Sequence, residues 1–141
     1  VPAPDQTTRR FTPVITGTLV AIVAGVLAAV FGTLLHGQIY YAGETPLPWG
    51  AVLALLLAGS LATVAGLYAE KIWAAAVCGL ITYGLVAWAS LDAHNHLLIG
   101  WSSHETLPGP ALAAAIWTYG IAASTVVALL ITAGGLSARR R

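Results

Sequence analysis

The sequence predicts an all-α fold, an integral membrane four-helix bundle, and three observations predict it. Hydrophobic residues fill 58% of the 141 positions and charged residues only 8%, with a mean hydropathy of +0.84, a balance foreign to water-soluble domains. Four stretches, 11–35, 49–69, 72–91 and 107–136, hold no Asp, Glu, Lys, Arg or His, and each reaches the roughly 20 residues that a helix needs to cross a bilayer. Pro48, Pro108 and Pro110 stand at the starts of the second and fourth stretches, where a missing N–H costs a helix nothing.

Residues 1–10, VPAPDQTTRR, are polar and proline-containing and are expected to form a disordered cytoplasmic tail. The helical domain is expected over 11–136, followed by a basic tail at 137–141. The first apolar stretch exceeds the ~7–15 residues of a secretory signal and ends in TLLHGQ without a small-residue cleavage pattern, so it is expected to stay in the membrane. TTRRFTPV carries only the arginine pair of a twin-arginine signal. The absence of Met leaves trimming and a non-AUG start as alternatives.

The second and third helices are joined by a short link containing Lys71, and the other basic residues, Arg9, Arg10 and Arg139 to Arg141, fall at the same end of the predicted topology. By the positive-inside rule that end is cytoplasmic, giving a multi-pass protein of the plasma (inner) membrane with both termini inside. His36, Glu44, Asp92, His94, His96, His104 and Glu105 fall at the opposite end. Tyr40, Tyr41, Trp49 and Trp101 suit an outer aromatic belt, and Tyr68 and Trp73 an inner one. The outer links HGQIYYAGETPLPWG (36–50) and HLLIGWSSHETLPGP (96–110) share His, aromatic, Glu-Thr, Leu and Pro in order, a match that would make the bundle two tandem parallel helical hairpins.

Lipid gives helices no hydrophobic reason to associate, so contact comes from small residues and shared hydrogen bonds. Gly17, Ala21 and Gly25 in the first helix, Gly59, Ala62 and Gly66 in the second, and Ala111, Ala115, Gly120, Ser124 and Ala128 in the fourth form such stripes. They either knit the four helices together or face another subunit, including a homo-oligomeric copy. No Asp, Glu, Lys, Arg or His falls near mid-membrane, which argues against a pump or proton-coupled transporter. Thr63, Thr82, Tyr83, Thr118 and Tyr119 are expected to act as interhelical glue, the alternative being a narrow permeation path in a small oligomeric channel or permease. Cys78 is the single cysteine, so neither an internal disulfide nor a thiolate metal cluster can form.

The stretch LDAHNHLLIG, residues 91–100, gathers Asp92, His94 and His96. On a helix only Asp92 and His96 share a face, whereas in an extended segment all three do. The extended arrangement makes a partial Zn²⁺ or Cu²⁺ ligand set that His36, His104, Glu44 or Glu105 would complete. The leading expectation is plainer: these groups end the apolar span, contact headgroups and water, and no cofactor is required. A haem between His36 and His96 is the remotest alternative. Ser102 and Ser103 beside His104 do not make a triad, the links are short for a substrate pocket, and no Gly-rich phosphate loop is present, so no enzyme is expected. SARRR reads as an anchor to anionic lipid, not a nucleic-acid patch.

The four spans, PLPWGAVLALLLAGSLATVAGLY after a short outer loop, and LLIG after a polar break together resemble a family of small, uncharacterised four-helix membrane proteins of actinobacteria over residues 14–134. That family is expected to place a Pro-Glu-Gly-Asp type break where this chain has DAHNH, which makes the histidines particular to this chain. Size, topology and alanine content are also similar to those of accessory subunits of actinobacterial respiratory supercomplexes. No activity comes with the family resemblance, but the architectural likeness, the uncharged mid-membrane and the abundant contact stripes lead to the expectation of a non-catalytic subunit that stabilises or assembles a larger complex, its partners other integral membrane subunits and lipid. The alternative from the residues themselves is an outward-facing divalent-metal-binding protein.

Overall fold

The computed structural model describes residues 6–91 and 98–141, with the backbone alone for residues 6–13 and Trp101. Helix α1 (Gln6–His36) is followed by strands β1 (Tyr40–Ala42) and β2 (Thr45–Leu47), helices α2 (Trp49–Tyr68) and α3 (Ile72–Leu91), a 3-10 turn at Trp101–Ser103, and helix α4 (Pro108–Ala138). All four α-helices are long and apolar enough to cross a membrane, and the chain is a multi-pass membrane protein. At 1.5 Å per residue, α2 and α3 cover about 30 Å, the thickness of the hydrocarbon core, whereas α1 and α4 reach about 46 Å.

Helix α1 packs along α2 and α3, α4 packs along the same two, and α1 and α4 share the smallest helix–helix contact. The section is therefore a rhomb, with α2 and α3 across its short diagonal. One end carries Lys71 and Arg139 to Arg141 and is called the basic end; the other carries the strands and the 3-10 turn and is called the link end.

Large side chains face outward and small ones inward. Ala21, Ala28, Ala54, Ala65, Ala74, Ala75, Ala111 and Ala113 are fully buried, while Leu80, Trp88 and Leu130 are about 70% exposed (71%, 74% and 68%). A water-soluble core would reverse this. In lipid, aliphatic side chains lose nothing by facing the solvent, and close backbone approach supplies the attraction instead. In the basic half, Ala21, Ala24, Ala62, Ala65, Ala74, Cys78 and Ala128 form the core. In the link half, Ala28, Ala29, Ala54 and Ala58 are joined by Val86, Trp117 and Ile121. Trp117 reaches from α4 across the long diagonal to α1, where its ring fills the space a side chain at Gly32 would need and its indole N–H donates to Thr33 Oγ1 at 3.3 Å.

Three features differ from the expectations. First, α1 begins at Gln6, within the stretch expected to be a disordered tail, because no proline or glycine interrupts residues 6–12; Val14 is where the span proper starts. Likewise α4 runs on to Ala138, two residues into the basic tail.

Second, the first outer link, expected as a short loop, contains a β-ribbon. Tyr40 pairs with Leu47, Tyr41 with Pro46 and Ala42 with Thr45 in an antiparallel ribbon. Gly43 has φ of 66° while Glu44 does not, the pattern of a type II′ turn, which requires glycine at its first central position.

Third, the two helical hairpins are not equivalent: α1 lies much more closely along α2 than α3 does along α4. The β-ribbon ties the ends of α1 and α2 together through Gln38 N–H to the Leu35 carbonyl and Gly50 N–H to the Gln38 carbonyl, each 3.0 Å. The described part of the second link offers the 3-10 turn and a further turn in which the Thr106 and Leu107 N–H groups bond the Ser103 carbonyl at 3.2 and 2.8 Å.

The turn between α2 and α3 closes as a Schellman motif. Lys71 N–H bonds the Gly66 carbonyl at 3.0 Å and Glu70 N–H the Leu67 carbonyl at 3.3 Å. Glu70 takes the left-handed position with φ of 51°, a place usually held by glycine. Its carboxylate lies 3.8 Å from the Arg139 guanidinium, both groups being well exposed, so this pair contributes little to stability.

Candidate functional site

At the link end, His36 terminates α1. Its ring is buried and its Nδ1 lies at hydrogen-bond distance from the Thr33 carbonyl of its own helix. This satisfies one of the terminal carbonyls that every helix leaves open. Glu44 sits at the tip of the β-ribbon and His104 and Glu105 after the 3-10 turn, all exposed. Asp92, His94 and His96, the heart of the expected metal set, lie outside the described residues, as does the His96 half of the haem alternative. Among the described residues, no three His, Cys, Asp or Glu side chains come together.

The β-ribbon also caps α4. Tyr41 and Pro46 lie over Gly109, where a Cβ would come within 2.6 Å of the Tyr41 hydroxyl. Tyr40, Tyr41 and Trp49 remain about half exposed at 63%, 54% and 49%, in keeping with an interfacial belt.

Each predicted contact glycine faces a helix of the same chain. A Cβ at Gly17 would meet Ala69, and one at Gly25 would meet the Cys78 carbonyl and Ile81. Gly59 faces Ser124, Gly66 faces Thr132 and Ala75, and Gly120 faces Leu55. Ala21 is fully buried on the same face of α1. Ser124 adds a hydrogen bond from its hydroxyl to the Leu55 carbonyl at 2.8 Å, tying α4 to α2. Reading the stripes by spacing found these residues but not Gly32, Gly79 and Trp117. The fit of Gly32 to an aromatic side chain 85 positions away leaves no periodic trace.

The five hydroxyl residues at mid-span go to different surroundings. Thr82 is buried and bonds both the Gly25 carbonyl of α1 at 3.2 Å and the Cys78 carbonyl of its own helix at 2.9 Å. Thr63 bonds the Gly59 carbonyl one turn back in α2. Tyr83 and Tyr119 are exposed, and Thr118 lines a small recess near the link end with Ser90, Leu98 and Ala115.

A groove of about 580 Å³ runs between α2 and α4, open along one side of the bundle. Val52, Leu56, Val64, Val127 and Ile131 form its rims, and Gly59, Gly120 and Ser124 its floor. Ser60 is the exposed hydroxyl within it. The groove exists because α2 and α4 meet through Gly59 and Gly120: with no side chains there the backbones come close, and the larger residues on either side stand up as walls.

No protein-family model, curated protein or solved structure matches the chain.

Proposed function

We propose that the protein is a non-catalytic subunit that stabilises or assembles a larger membrane complex, its groove between α2 and α4 receiving a transmembrane helix of a partner. The observation that carries this reading is the division of labour among small residues. The predicted contact glycines are engaged within the chain, no Asp, Glu, Lys, Arg or His occupies the middle of a span, and the lipid-facing surface still contains a long apolar furrow. A ridge of branched aliphatic residues from a neighbouring helix would fill it by ridge-into-groove packing, with Ser60 available to that helix's backbone. Actinobacterial respiratory supercomplexes are the first place to look for the partner. In the plasma membrane the basic end would face the cytoplasm.

The test is purification in mild detergent of the wild-type chain, Ala123→Trp, which fills the groove, and Leu80→Trp, which bulks out exposed α3. A stoichiometric integral membrane companion retained by wild type and Leu80→Trp, and lost from Ala123→Trp, is the expected result. A monodisperse monomer, or a homodimer without other chains, would overturn the reading.

A further inference from the structure

A second concavity, about 310 Å³ at the basic end, lies between the α2–α3 turn and the last turns of α4. Its wall divides by polarity. Glu70, Lys71, Ser137 and Arg140 are its polar lining, and Ile72, Trp73, Ala133 and Leu136 its apolar lining. Glu70 is offset by Arg139 at 3.8 Å, while Lys71 and Arg140 make no ion pair among the described residues. The first backbone bond of α3 runs from Ala74 N–H to the Lys71 carbonyl. The N–H groups of Ile72 and Trp73 therefore precede the helical ladder without a backbone acceptor, adding the positive end of a helix dipole to the two cations.

We propose that this pocket binds the phosphate of an anionic phospholipid. Lys71 and Arg140 hold the phosphate oxygens, and the acyl chains descend past Ile72, Ala133 and Leu136. The shared chemistry is that of any phosphate anion. The apolar half of the wall favours a lipid, because a free phosphate has nothing to place there, and Trp73 marks the boundary where headgroups lie. This site is independent of the subunit reading, since it needs only that the four helices span a bilayer.

The experiment reconstitutes the full chain in nanodiscs containing equal parts phosphatidylglycerol and phosphatidylcholine. After transfer to detergent, the lipid retained per protein is measured by mass spectrometry, with helix content checked by circular dichroism. Wild type is expected to retain phosphatidylglycerol preferentially, with less preference at high salt. Lys71→Gln/Arg140→Gln should lose roughly thirtyfold of that preference, about fivefold for each basic group. Lys71→Arg/Arg140→Lys and Arg141→Gln should keep it. Equal retention of the two lipids by wild type, a preference insensitive to salt, or one undiminished in the folded double Gln variant would overturn the proposal. Displacement by inorganic phosphate at an ionic strength where sodium chloride leaves the lipid bound would also overturn it, reassigning the pocket to a soluble anion.

Discussion

The two halves of the bundle solve the same packing problem differently. In the basic half, Ala21, Ala24, Ala62, Ala65, Ala74, Cys78 and Ala128 make a core of nearly uniform small side chains, and the helices are held by closeness of backbone. In the link half, Trp117 wedges between α4 and α1, with Val86 and Ile121 beside it. A small-residue interface tolerates no added atom, whereas a wedge tolerates no removal. The difference predicts opposite sensitivities along a single bundle.

Removing the wedge should have the largest effect. Trp117→Ala empties a fully buried site and frees Thr33 of its indole partner, a change of the kind that costs about 3 to 5 kcal/mol in soluble cores. Equilibrium unfolding in mixed micelles should register a loss near that size. Ala62→Gly, a shortening in the other half, should cost about 1 kcal/mol, mostly from helix propensity. Equal losses would show that the halves do not differ as described.

Adding atoms should reverse the ranking within the basic half. A Cβ at Gly25 would lie 2.8 Å from the Cys78 carbonyl oxygen and 2.9 Å from the Ile81 Cβ, so Gly25→Val must push α1 off α3. Overpacking of this kind costs about 1 to 3 kcal/mol. A crosslink between cysteines placed on α1 and α3 would report the separation as a fall in yield. Gly84, which has nothing within 4 Å of an added Cβ, supplies the comparison, and Gly84→Val should leave the yield unchanged. An unaltered yield in Gly25→Val would mean that the close approach is not the source of attachment.

What the sequence made legible follows from the same physics. Four spans could be read because hydrocarbon imposes one strong rule, about 20 residues without charge, and Trp49–Tyr68 and Ile72–Leu91 obey it at both ends. Gly17, Gly25, Gly59 and Gly66 were readable as contact residues because small residues three, four, seven or eight apart share one helix face. Trp117 was not, since a membrane helix is apolar all round and its pattern does not separate the inward face from the outward one. The β-ribbon had a signal in YYAGET, aromatic residues followed by glycine at the first position of a two-residue turn, but proximity to helix ends obscured it. Of the candidate ligands, His36 proved to be bound up with its own helix end.

The smallest expected effect separates two buried threonines. Thr82 donates across the interface to the Gly25 carbonyl, so Thr82→Val should cost about 0.6 kcal/mol, the average for interhelical hydrogen bonds in a membrane. Thr132 is equally buried, yet its hydroxyl has no hydrogen-bond partner among the described residues. In a separated α4 that hydroxyl would be free to bond the carbonyl one turn back, as Thr125 and Ser137 do in the same helix. Packing against Gly66 and Ala75 therefore removes a bond that the dissociated helix enjoys, and folding bears its loss. Thr132→Val deletes the hydroxyl from both states and keeps the branched shape, so it should stabilise the bundle by about 0.5 to 1 kcal/mol. Unfolding midpoints moving in opposite directions for the two variants would support this account. A shift downward for both would mean that Thr132 contributes a bond as Thr82 does, and that the basic half is held by more than close backbones.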